Sequence, residues 1–361
     1  MIFVFGAGRQ GIVTIETLRD LRIEDVVVVE MDRQNAEKAS KFGFKTIVNS
    51  FDSKDVEDLI QPGDIIINCL PARFGERVLH LAINKRTDLV DISYMEEDPF
   101  EITSIVSDRG LRFVVDAGFA PGLSNFLVGL GYEKYGNDID RIVIKVGGIP
   151  LNPVPPFNYH LTWSPEDLLD EYRRPARIKI NGVIQSVPAL SGIQKEFFKG
   201  IEGEFESFYT DGLRTLLRTI EGVPTLEERT VRYPGHGEIF NVLKQIGLLD
   251  KECPIYMVFV NWLLDQLKKG DERDLAILRV EFWKGNIVRG FEIVHFYNHK
   301  KGRTAMSELT GIPPAIITKF LREGEIFQTG ILPLELLGMQ QAFSEKFIRL
   351  LEDFDIHFKE F

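Results

Sequence analysis

The first third of the chain alternates short apolar runs with stretches of helical pattern. The runs are continuous and do not alternate with polar residues, which is typical of strands buried on both faces of a parallel sheet. Between the first two runs, Ile12, Ile15 and Leu18 form one apolar stripe at helical spacing. This repetition predicts a doubly wound, Rossmann-type α/β domain over residues 1–122. The predicted strands are residues 2–5, 26–29, 46–48, 65–69, 89–92 and 112–115.

The pattern changes after about residue 123. Residues 141–148 predict a strand, and the turns Asn181-Gly182 and Lys284-Gly285-Asn286 predict two β-hairpins. Helical segments lie between these strands. We therefore predict a second domain of the α+β class, with an antiparallel sheet, over residues 123–330. Its expected role is substrate binding or dimerisation.

The last sixty residues are predicted to be helical. Residues 304–324 contain Gly311-Ile-Pro-Pro314, which predicts two helices broken at the prolines. The segment 331–361 predicts a closing pair of helices. We expect this pair to pack back on the first domain.

The first turn of the α/β domain is rich in glycine and reads Gly6-Ala-Gly8-Arg9-Gln10-Gly11. The pattern G-x-G-x-x-G is weak evidence alone, but here it follows a strand and opens a helix, the context that a dinucleotide-binding turn requires. The first glycine allows the tight turn, the second lets a pyrophosphate approach the backbone, and the third lets helix and strand pack closely. Residues 6–11 are therefore predicted to bind a nicotinamide dinucleotide by its phosphates. The alternative is a glycine turn without a ligand.

The end of the second predicted strand carries the residues expected to choose the cofactor. A carboxylate roughly 20 residues beyond the glycines usually binds the ribose hydroxyls of NAD and repels the additional phosphate of NADP. We prefer Asp32, which opens the loop expected to cover the adenosine, and keep Glu30 as second choice. Arg33 favours the opposite cofactor, because an arginine there can accommodate the phosphate. NAD is the predicted cofactor.

Polar residues follow the strands on the expected nicotinamide side. In this fold, ligands bind outside the carboxyl ends of the strands, beside the first strand. Asp91 and Asp116 follow the fifth and sixth strands there and are candidates for the chemistry, although an aspartate at a strand end can also cap the next turn. Cys69, Leu70 and Pro71 follow the fourth strand and are predicted to contact the cofactor.

Two turns of the second domain carry candidate substrate-binding residues. Tyr209, Thr210 and Arg214 lie at the start of one predicted helix, and Arg232 and His236 flank a glycine- and proline-containing turn before another. Such residues are also common as helix caps and in surface turns, so both interpretations stay open.

Composition excludes several function classes. The chain has 361 residues, 44% apolar, with a net charge of −11, which argues against a general affinity for nucleic acid or anionic membranes. Two cysteines cannot form a disulfide framework. His295 and His299 lie four residues apart but at a strand end, so no metal site is predicted.

Localisation and assembly are predicted from weaker signals. The chain opens directly on a predicted strand, and no apolar run approaches the roughly 20 residues that span a bilayer. We expect a reduced, cytoplasmic protein. A homodimer is expected because antiparallel sheets often offer a surface that pairs.

Six segments together resemble the saccharopine dehydrogenase-like superfamily. They are GAGRQG (6–11), INCLPARFGERVLHLAI (67–83), DISY (91–94), DAGFAPGLSN (116–125), ESFYTDGLRTLLRT (206–219) and RYPGH (232–236). The resemblance implies a Rossmann domain, a second domain inserted before a C-terminal segment that returns to the first, and hydride transfer between a nicotinamide and a C–N centre. Within the superfamily the chain is most similar to the L-lysine 6-dehydrogenases.

That similarity implies oxidative deamination of L-lysine at its ε-carbon, with release of NADH, ammonia and a 6-semialdehyde that cyclises. Asp91 and Asp116 would attract the substrate ammonium and stabilise the iminium, and His236 would be the general base. Arg232, or Arg214 as second choice, would bind the substrate carboxylate through two parallel hydrogen bonds. The alternatives are another imine-forming member, such as a saccharopine or carboxynorspermidine dehydrogenase, and a non-catalytic NAD-binding protein.

Overall fold

A computed structural model describes residues 1–136 and 138–361 of the chain. The chain divides into two compact units. Unit 1 comprises residues Met1–Leu130 and Ser307–Ile356, and unit 2 comprises Gly131–Met306 and His357–Phe361.

Unit 1 is built on a parallel sheet of seven strands. The strands are β1 (Ile2–Phe5), β2 (Val26–Glu30), β3 (Lys45–Val48), β4 (Ile65–Asn68), β5 (Asp88–Asp91), β6 (Arg112–Val114) and β15 (Gly330–Ile331). Their order across the sheet is β15-β6-β5-β4-β1-β2-β3. The strand order therefore reverses at β1, and the carboxyl end of β1 is the place where this fold binds its ligand.

Helices connect these strands, as the apolar stripe over Ile12 to Leu18 predicted for the first of them. The connecting helices are α1 (Arg9–Asp20), α2 (Arg33–Ser40), α3 (Lys54–Glu57), α4 (Gly75–Lys85) and α5 (Thr103–Asp108), with two 3₁₀ turns, Ala72–Phe74 and Pro99–Ile102. Two more helices, α12 (Leu334–Gly338) and α13 (Gln341–Asp353), follow β15. The core packs strand residues such as Phe3, Phe5 and Phe113 against helix residues such as Val78 and Val106, all buried.

Unit 2 contains a mixed sheet of nine strands. The strands are β7 (Arg141–Pro150), β8 (Ala176–Ile180), β9 (Val183–Val187), β10 (Gln194–Glu196), β11 (Phe205–Tyr209), β12 (Thr225–Arg232), β13 (Asp274–Lys284), β14 (Ile287–Phe296) and β16 (Lys359–Glu360). The main path runs β10-β11-β12-β7-β13-β14-β16, and β8 pairs with β12 and β9. Neighbours are antiparallel except β12 and β7, which run parallel.

The helices of unit 2 are α7 (Pro165–Arg173), α8 (Leu216–Thr219), α9 (His236–Gln245) and α10 (Tyr256–Leu267). Ser164 begins α7 as predicted, because its side chain accepts a hydrogen bond from the backbone N–H of Asp167. A cluster of aromatic and aliphatic residues, including Tyr172, Phe208 and Phe240, forms the core between these helices and the sheet.

The predicted fold class is confirmed, with one refinement. A parallel Rossmann-type sheet and a second α+β sheet are both present, but the second sheet is mixed where an antiparallel one was predicted. The segment 151–224 separates β7 from β12 and is long enough for the crossover that a parallel pair needs. Both predicted hairpins form, and Asn181 and Gly182 have the positive φ angles, 50° and 81°, of their turn type.

The boundaries of the two compact units differ from those predicted, which were 1–122 with 331–361 for the first domain and 123–330 for the second. The chain leaves unit 1 within helix α6 (Leu123–Tyr135), because Phe126 on that helix packs its ring 4.8 Å from that of Phe347 on α13. It returns within helix α11 (Ala305–Arg322). Residues His357–Phe361 belong to unit 2, where β16 extends the sheet.

The predicted break at Gly311–Pro314 is wrong, since α11 runs through both prolines as one helix. Gly311 explains part of this continuity. A Cβ there would lie 2.6 Å from the carbonyl oxygen of Gln10, and the carbonyl of Gly311 accepts a hydrogen bond from Thr14 Oγ1 at 2.8 Å. This close packing against α1 supports the helix as it passes the prolines.

Candidate functional site

The glycine-rich turn has the geometry of a phosphate cradle. Gly6 has a φ of 92°, and a Cβ on Gly11 would lie only 2.2 Å from the carbonyl oxygen of Gly6. Gly8 caps α1, whose first residues are Arg9 and Gln10, without a side-chain hydrogen bond, and a Cβ on Gly8 would meet nothing within 4 Å. The first amides of α1 thus open onto a surface that a pyrophosphate can approach.

Cys69 and Leu70, which were predicted to contact the cofactor, lie against this turn. A Cβ on Gly6 would lie 3.0 Å from both the carbonyl oxygen of Cys69 and Cδ2 of Leu70. Burial raises the pKa of the Cys69 thiol to about 12, so this group is a neutral thiol. Its Sγ donates to Thr14 Oγ1 at 3.7 Å. Pro71 follows directly and caps the 3₁₀ turn Ala72–Phe74.

The two acids that were candidates for binding the ribose have different contacts in the structure. Glu30, at the end of β2, accepts a hydrogen bond from the backbone N–H of Ala7 through Oε2 at 2.6 Å. Asp32 is exposed and caps α2, because its Oδ1 accepts from the N–H of Asn35 at 2.9 Å. Arg33 is the exposed first residue of α2. Glu30, the second choice from sequence, is therefore the carboxylate attached to the glycine-rich turn.

Asp91 is completely buried at the carboxyl end of β5. Its Oδ1 accepts hydrogen bonds from Nδ2 of Asn68 at 2.8 Å and from the N–H of Ser93 at 3.0 Å, and its Oδ2 accepts from Oγ of Ser93 at 2.9 Å. Burial, with a smaller contribution from the charge of Asp116, raises the pKa of Asp91 to about 6 despite these three donors. Asp91 is therefore a carboxylate that can take up a proton close to neutral pH.

Asp116 lies beside Asp91 and is 1% exposed. The N–H of the next residue, Ala117, donates to the carbonyl oxygen of Asp91 at 2.8 Å, which joins the two strand ends. Asp116 has a φ of 51°, an uncommon conformation for a residue with a side chain. The loop beyond it is tightly packed, since a Cβ on Gly122 would lie 2.0 Å from the carbonyl oxygen of Gly118. Unit 1 therefore brings together the two predicted carboxylates.

Arg232, the predicted carboxylate binder, is buried on β12 in unit 2. Its Nε donates to the hydroxyl of Tyr172 at 3.2 Å, and its Nη2 lies 3.4 Å from Oε2 of Glu171. Its guanidinium also lies 4.7 Å from the centre of the Tyr159 ring. The second choice, Arg214, is also buried, with a φ of 43°. Arg232 is thus oriented by a carboxylate and two phenol rings.

His236 is a core residue of unit 2. Its Nε2 is 2.8 Å from the hydroxyl of Tyr172, its Nδ1 is 2.8 Å from the carbonyl oxygen of Phe157, and its ring stacks on that of Phe240. Burial, with the charge of Arg232, lowers the pKa of His236 to about 3. Nδ1 must then donate to Phe157 and Nε2 must accept from Tyr172. Because both ring nitrogens are engaged, this geometry does not favour the predicted role of general base.

Tyr209 and Thr210 are adjacent but serve different sets of contacts. The Tyr209 hydroxyl donates to Oε2 of Glu227 at 3.2 Å, and the Arg229 guanidinium lies 4.3 Å from its ring. Thr210 is buried, with its Oγ1 2.6 Å from Oε2 of Glu228. Alternation along a strand explains why these neighbours point to opposite faces of the sheet. Only Thr210 joins the network that contains Arg232.

Several polar residues of these networks were not identified from the sequence. In unit 1 they are Asn68 and Ser93, and in unit 2 they are Glu171, Tyr172 and Glu228. The available signal was a polar residue in an otherwise apolar strand, as for Asn68. Glu228 lies in a strand whose sequence is mostly polar, so it has no such signal. Glu171 and Tyr172 lie on an amphipathic helix, where a buried glutamate has no distinctive sequence pattern.

Two further properties follow from the described residues. Among residues 1–136 and 138–361, no group of three or more His, Cys, Asp or Glu side chains is arranged to hold a metal ion. Within the same ranges, every helix is too short or too polar to cross a membrane.

Two protein-family models match the chain. The model described as "Saccharopine dehydrogenase NADP binding domain" matches residues 2–114, and the "Saccharopine dehydrogenase C-terminal domain" model matches residues 118–356. Together they cover both units.

Curated relatives are distant and longer. The mitochondrial alpha-aminoadipic semialdehyde synthase of Rattus norvegicus is 25% identical over 267 residues, covering 70% of this chain and 28% of that protein. The L-glutamate-forming, NADP(+) saccharopine dehydrogenase of Saccharomyces cerevisiae is 24% identical over 264 residues, covering 70% of this chain and 59% of that protein. The alignments therefore span less than two thirds of each relative.

Two solved structures share the fold. The apo L-Glu-forming saccharopine dehydrogenase of Saccharomyces cerevisiae aligns with a TM-score of 0.80 at 19% identity, covering 100% of this chain and 99% of that one. A homospermidine synthase from Legionella pneumophila, solved with NAD, aligns with a TM-score of 0.67 at 12% identity, covering 100% of this chain and 91% of that one.

Proposed function

The chain belongs to the saccharopine dehydrogenase family, and from that premise we propose that it transfers hydride between a nicotinamide cofactor and a C–N bond of an amino-acid substrate. The observation that carries this proposal is the pair of buried carboxyls, Asp91 and Asp116, at the carboxyl ends of the parallel strands that continue the sheet from β1. A protein that only binds the dinucleotide needs the glycine-rich turn but has no use for that pair.

The residues present fit a dinucleotide. Gly8 leaves the start of α1 open, and the amides of Arg9 and Gln10 belong to its first turn. We assign the ribose contact to Glu30 and NAD as the cofactor, because a carboxylate at this position repels a 2′-phosphate. When bound, the nicotinamide supplies an acceptor for the hydride.

The two carboxyls have separate tasks in this proposal. A substrate amine must lose its proton before hydride can leave the adjacent carbon, and Asp116 is the proposed acceptor of that proton. Positive charge then develops on the substrate C–N group as the iminium forms. The carboxylate of Asp91 stabilises that charge, and both carboxylates attract the ammonium form of the substrate beforehand.

L-lysine is the proposed substrate, with oxidation at its 6-position followed by hydrolysis of the iminium to ammonia and the semialdehyde. One consideration supports lysine, because the acidic pair of Asp91 and Asp116 suits a terminal ammonium. Arg232 is the proposed partner of the substrate carboxylate.

A saccharopine-type adduct is the second candidate. The curated relatives that match this chain carry saccharopine dehydrogenase or semialdehyde synthase names. In that case the hydride would be exchanged at the secondary amine joining two amino-acid skeletons. The same carboxyls would then serve the iminium of the adduct.

One assay separates the candidates. Purified protein is mixed with NAD or NADP and a panel of amines and amino acids, and reduced cofactor is followed at about 340 nm. Reduction with lysine alone, with equimolar ammonia, supports the first candidate. Reduction only with saccharopine, or cofactor oxidation only with a semialdehyde plus glutamate, supports the second. Cofactor binding without turnover of any substrate would overturn both.

A further inference from the structure

Four side-chain oxygens form an unbroken row inside unit 2. Oε2 of Glu228 is 2.6 Å from Oγ1 of Thr210, which is 2.8 Å from Oγ1 of Thr230, which is 2.6 Å from Oε1 of Glu171. All four side chains are buried. The sheet produces this row, because Glu228 and Thr230 are two residues apart on β12 and so share one face.

The protons available to this row can be counted. Each of its three O···O contacts is as short as an O–H···O hydrogen bond and needs one proton between its oxygens. The two threonine hydroxyls supply two protons. With both glutamates ionised, one contact would place lone pairs against each other at 2.8 Å or less. The third proton must therefore belong to a carboxyl group.

The surroundings of the two glutamates show where that proton resides. Glu171 lies beside the guanidinium of Arg232, which favours a negative charge. Burial raises the pKa of Glu228 to about 8, and the negative charges of Glu171 and Asp211 contribute to this increase. With the proton on Glu228, the hydrogen bonds run in one direction: Glu228 donates to Thr210, Thr210 to Thr230, and Thr230 to Glu171.

We propose that Glu228 and Glu171 share a single proton through the hydroxyls of Thr210 and Thr230, and that the position of this proton determines how firmly Glu171 holds Arg232. Moving the proton to Glu171 requires only that each hydroxyl accept one proton and donate another. Glu228 becomes the carboxylate, Glu171 becomes neutral, and no atom is gained or lost. Arg232 then loses its ionic partner and can pair with a different anion.

Other charged and titratable groups surround the row. On the Glu228 side, Asp211 forms an ion pair with Arg177, and the N–H of Gly212 donates to Oε2 of Glu228 at 3.2 Å. On the Glu171 side, the groups near Arg232 are Tyr159, Tyr172 and His236. Burial raises the pKa of both tyrosines and lowers that of the histidine, so all three are neutral near pH 7. Glu228 is thus the group of this cluster whose pKa, about 8, lies close to neutral pH.

The test is infrared spectroscopy of the purified protein, because a protonated carboxyl has a C=O stretch that a carboxylate lacks. We expect this band at about pH 7.5, where carboxyls with ordinary pKa values are ionised. It should be lost at about pH 9.5, and it should be absent from Glu228→Gln at both values. Glu227→Gln is the matched control, since Glu227 is adjacent but contacts Arg141, Arg229 and Tyr209.

Two further variants keep the proposal testable if Glu228→Gln is poorly folded. Thr210→Ser keeps the hydroxyl and should keep the band, whereas Thr210→Val interrupts the row and should shift the pH at which the band disappears. Absence of the band from the wild-type protein, or its persistence in Glu228→Gln, would overturn the shared proton.

The consequence for Arg232 rests on the proposed function. If Arg232 binds a substrate carboxylate, Glu228→Gln should raise KM about tenfold with little change in kcat, because the glutamine cannot pass a proton to Glu171. An unchanged KM alongside the expected infrared result would overturn only the link to Arg232. Failure of every substrate to react would overturn the proposed function and leave the infrared test valid.

Discussion

The two units carry their polar groups in different places. In unit 1, Asp91 and Asp116 follow parallel strands, and the glycine-rich turn offers backbone amides at the same edge of the sheet. In unit 2, Thr230 and Arg232 lie within a strand, on a sheet face covered by helices, and they contact other buried side chains. In unit 1 these polar groups therefore lie at strand ends, whereas in unit 2 they lie between the sheet and the helices that cover it.

This difference has an energetic reason. A group at a strand end can be solvated by backbone amides of the following loop, as Asp91 is by the N–H of Ser93. A group within a strand has already used its backbone bonds in the sheet, so its side chain must be satisfied by other side chains. A network of that kind is stable only when complete, which explains why Glu171, Thr230 and Arg232 occur together.

The largest expected effect is on turnover in unit 1. Asp116→Asn should lower kcat on the order of 100-fold or more, because an amide cannot accept the substrate proton. Asparagine tolerates the φ of 51° at this position, so the fold and the NAD affinity should be nearly unchanged. Steady-state kinetics and an NAD titration check both points.

The matched control for this variant is Asp108→Asn, at an exposed position on α5. It makes the same chemical change away from the strand ends and should leave kcat unchanged. A kcat for Asp116→Asn equal to that of the control would remove Asp116 from the mechanism.

The second prediction contrasts two glycines of one turn. Gly11→Ala places a methyl group 2.2 Å from a backbone oxygen and should cost about 1–3 kcal/mol of folding free energy. Gly8→Ala meets no protein atom within 4 Å and should leave the melting temperature unchanged, while weakening NAD binding about tenfold or more. Thermal unfolding with and without NAD measures both effects. Equal NAD affinity for Gly8→Ala and the wild type would contradict the phosphate cradle.

The contrast between strand ends and strand interiors also explains which neighbouring residues could be predicted from the sequence. Strand-end residues such as Asp91 and Asp116 could be placed together, because all parallel strands of a sheet end at one edge. Cys69 and Leu70 could be assigned to the same edge as the glycine-rich turn for the same reason, and they lie against Gly6.

Unit 2 could not be predicted in this way. Its strands pair over long sequence separations, as β7 does with β12, so neither the register nor the facing residues were accessible from local pattern. Tyr209 and Thr210 were both candidates for substrate binding, but their side chains lie on opposite faces of the sheet and contact different residues. The resemblance implied that His236 acts as a general base, but His236 is the buried first residue of α9 and both of its ring nitrogens have partners.

The third prediction concerns stability against pH in unit 2. The folded protein binds the Glu228 proton with a pKa of about 8, against 4.5 for an ordinary glutamate, so this group contributes stability at low pH that is lost as the pH rises through 8. The variant Glu228→Gln has no proton to lose at this position, so its stability does not fall in this way as the pH rises. Its melting temperature, relative to the wild type, should therefore increase between about pH 6 and pH 9.

Glu227→Gln is again the matched control for this titration. Its melting temperature should run parallel to that of the wild type over the same pH range, at a lower value because Glu227 pairs with Arg141 and Arg229. Parallel curves for Glu228→Gln and the wild type would show that Glu228 is ionised throughout.

The smallest expected effect tests the choice between Glu30 and Asp32. Glu30→Gln removes the charge that is attached to Ala7 of the glycine-rich turn, and it should lower the preference for NAD over NADP about tenfold. Asp32→Asn should change little, because asparagine caps a helix about as well as aspartate and the side chain already bonds the N–H of Asn35. The ratio of kcat/KM for the two cofactors measures each change. If selectivity were lost in Asp32→Asn alone, the ribose contact would have to be assigned to Asp32. Glu30 would then be a hydrogen-bond acceptor that only stabilises the glycine-rich turn.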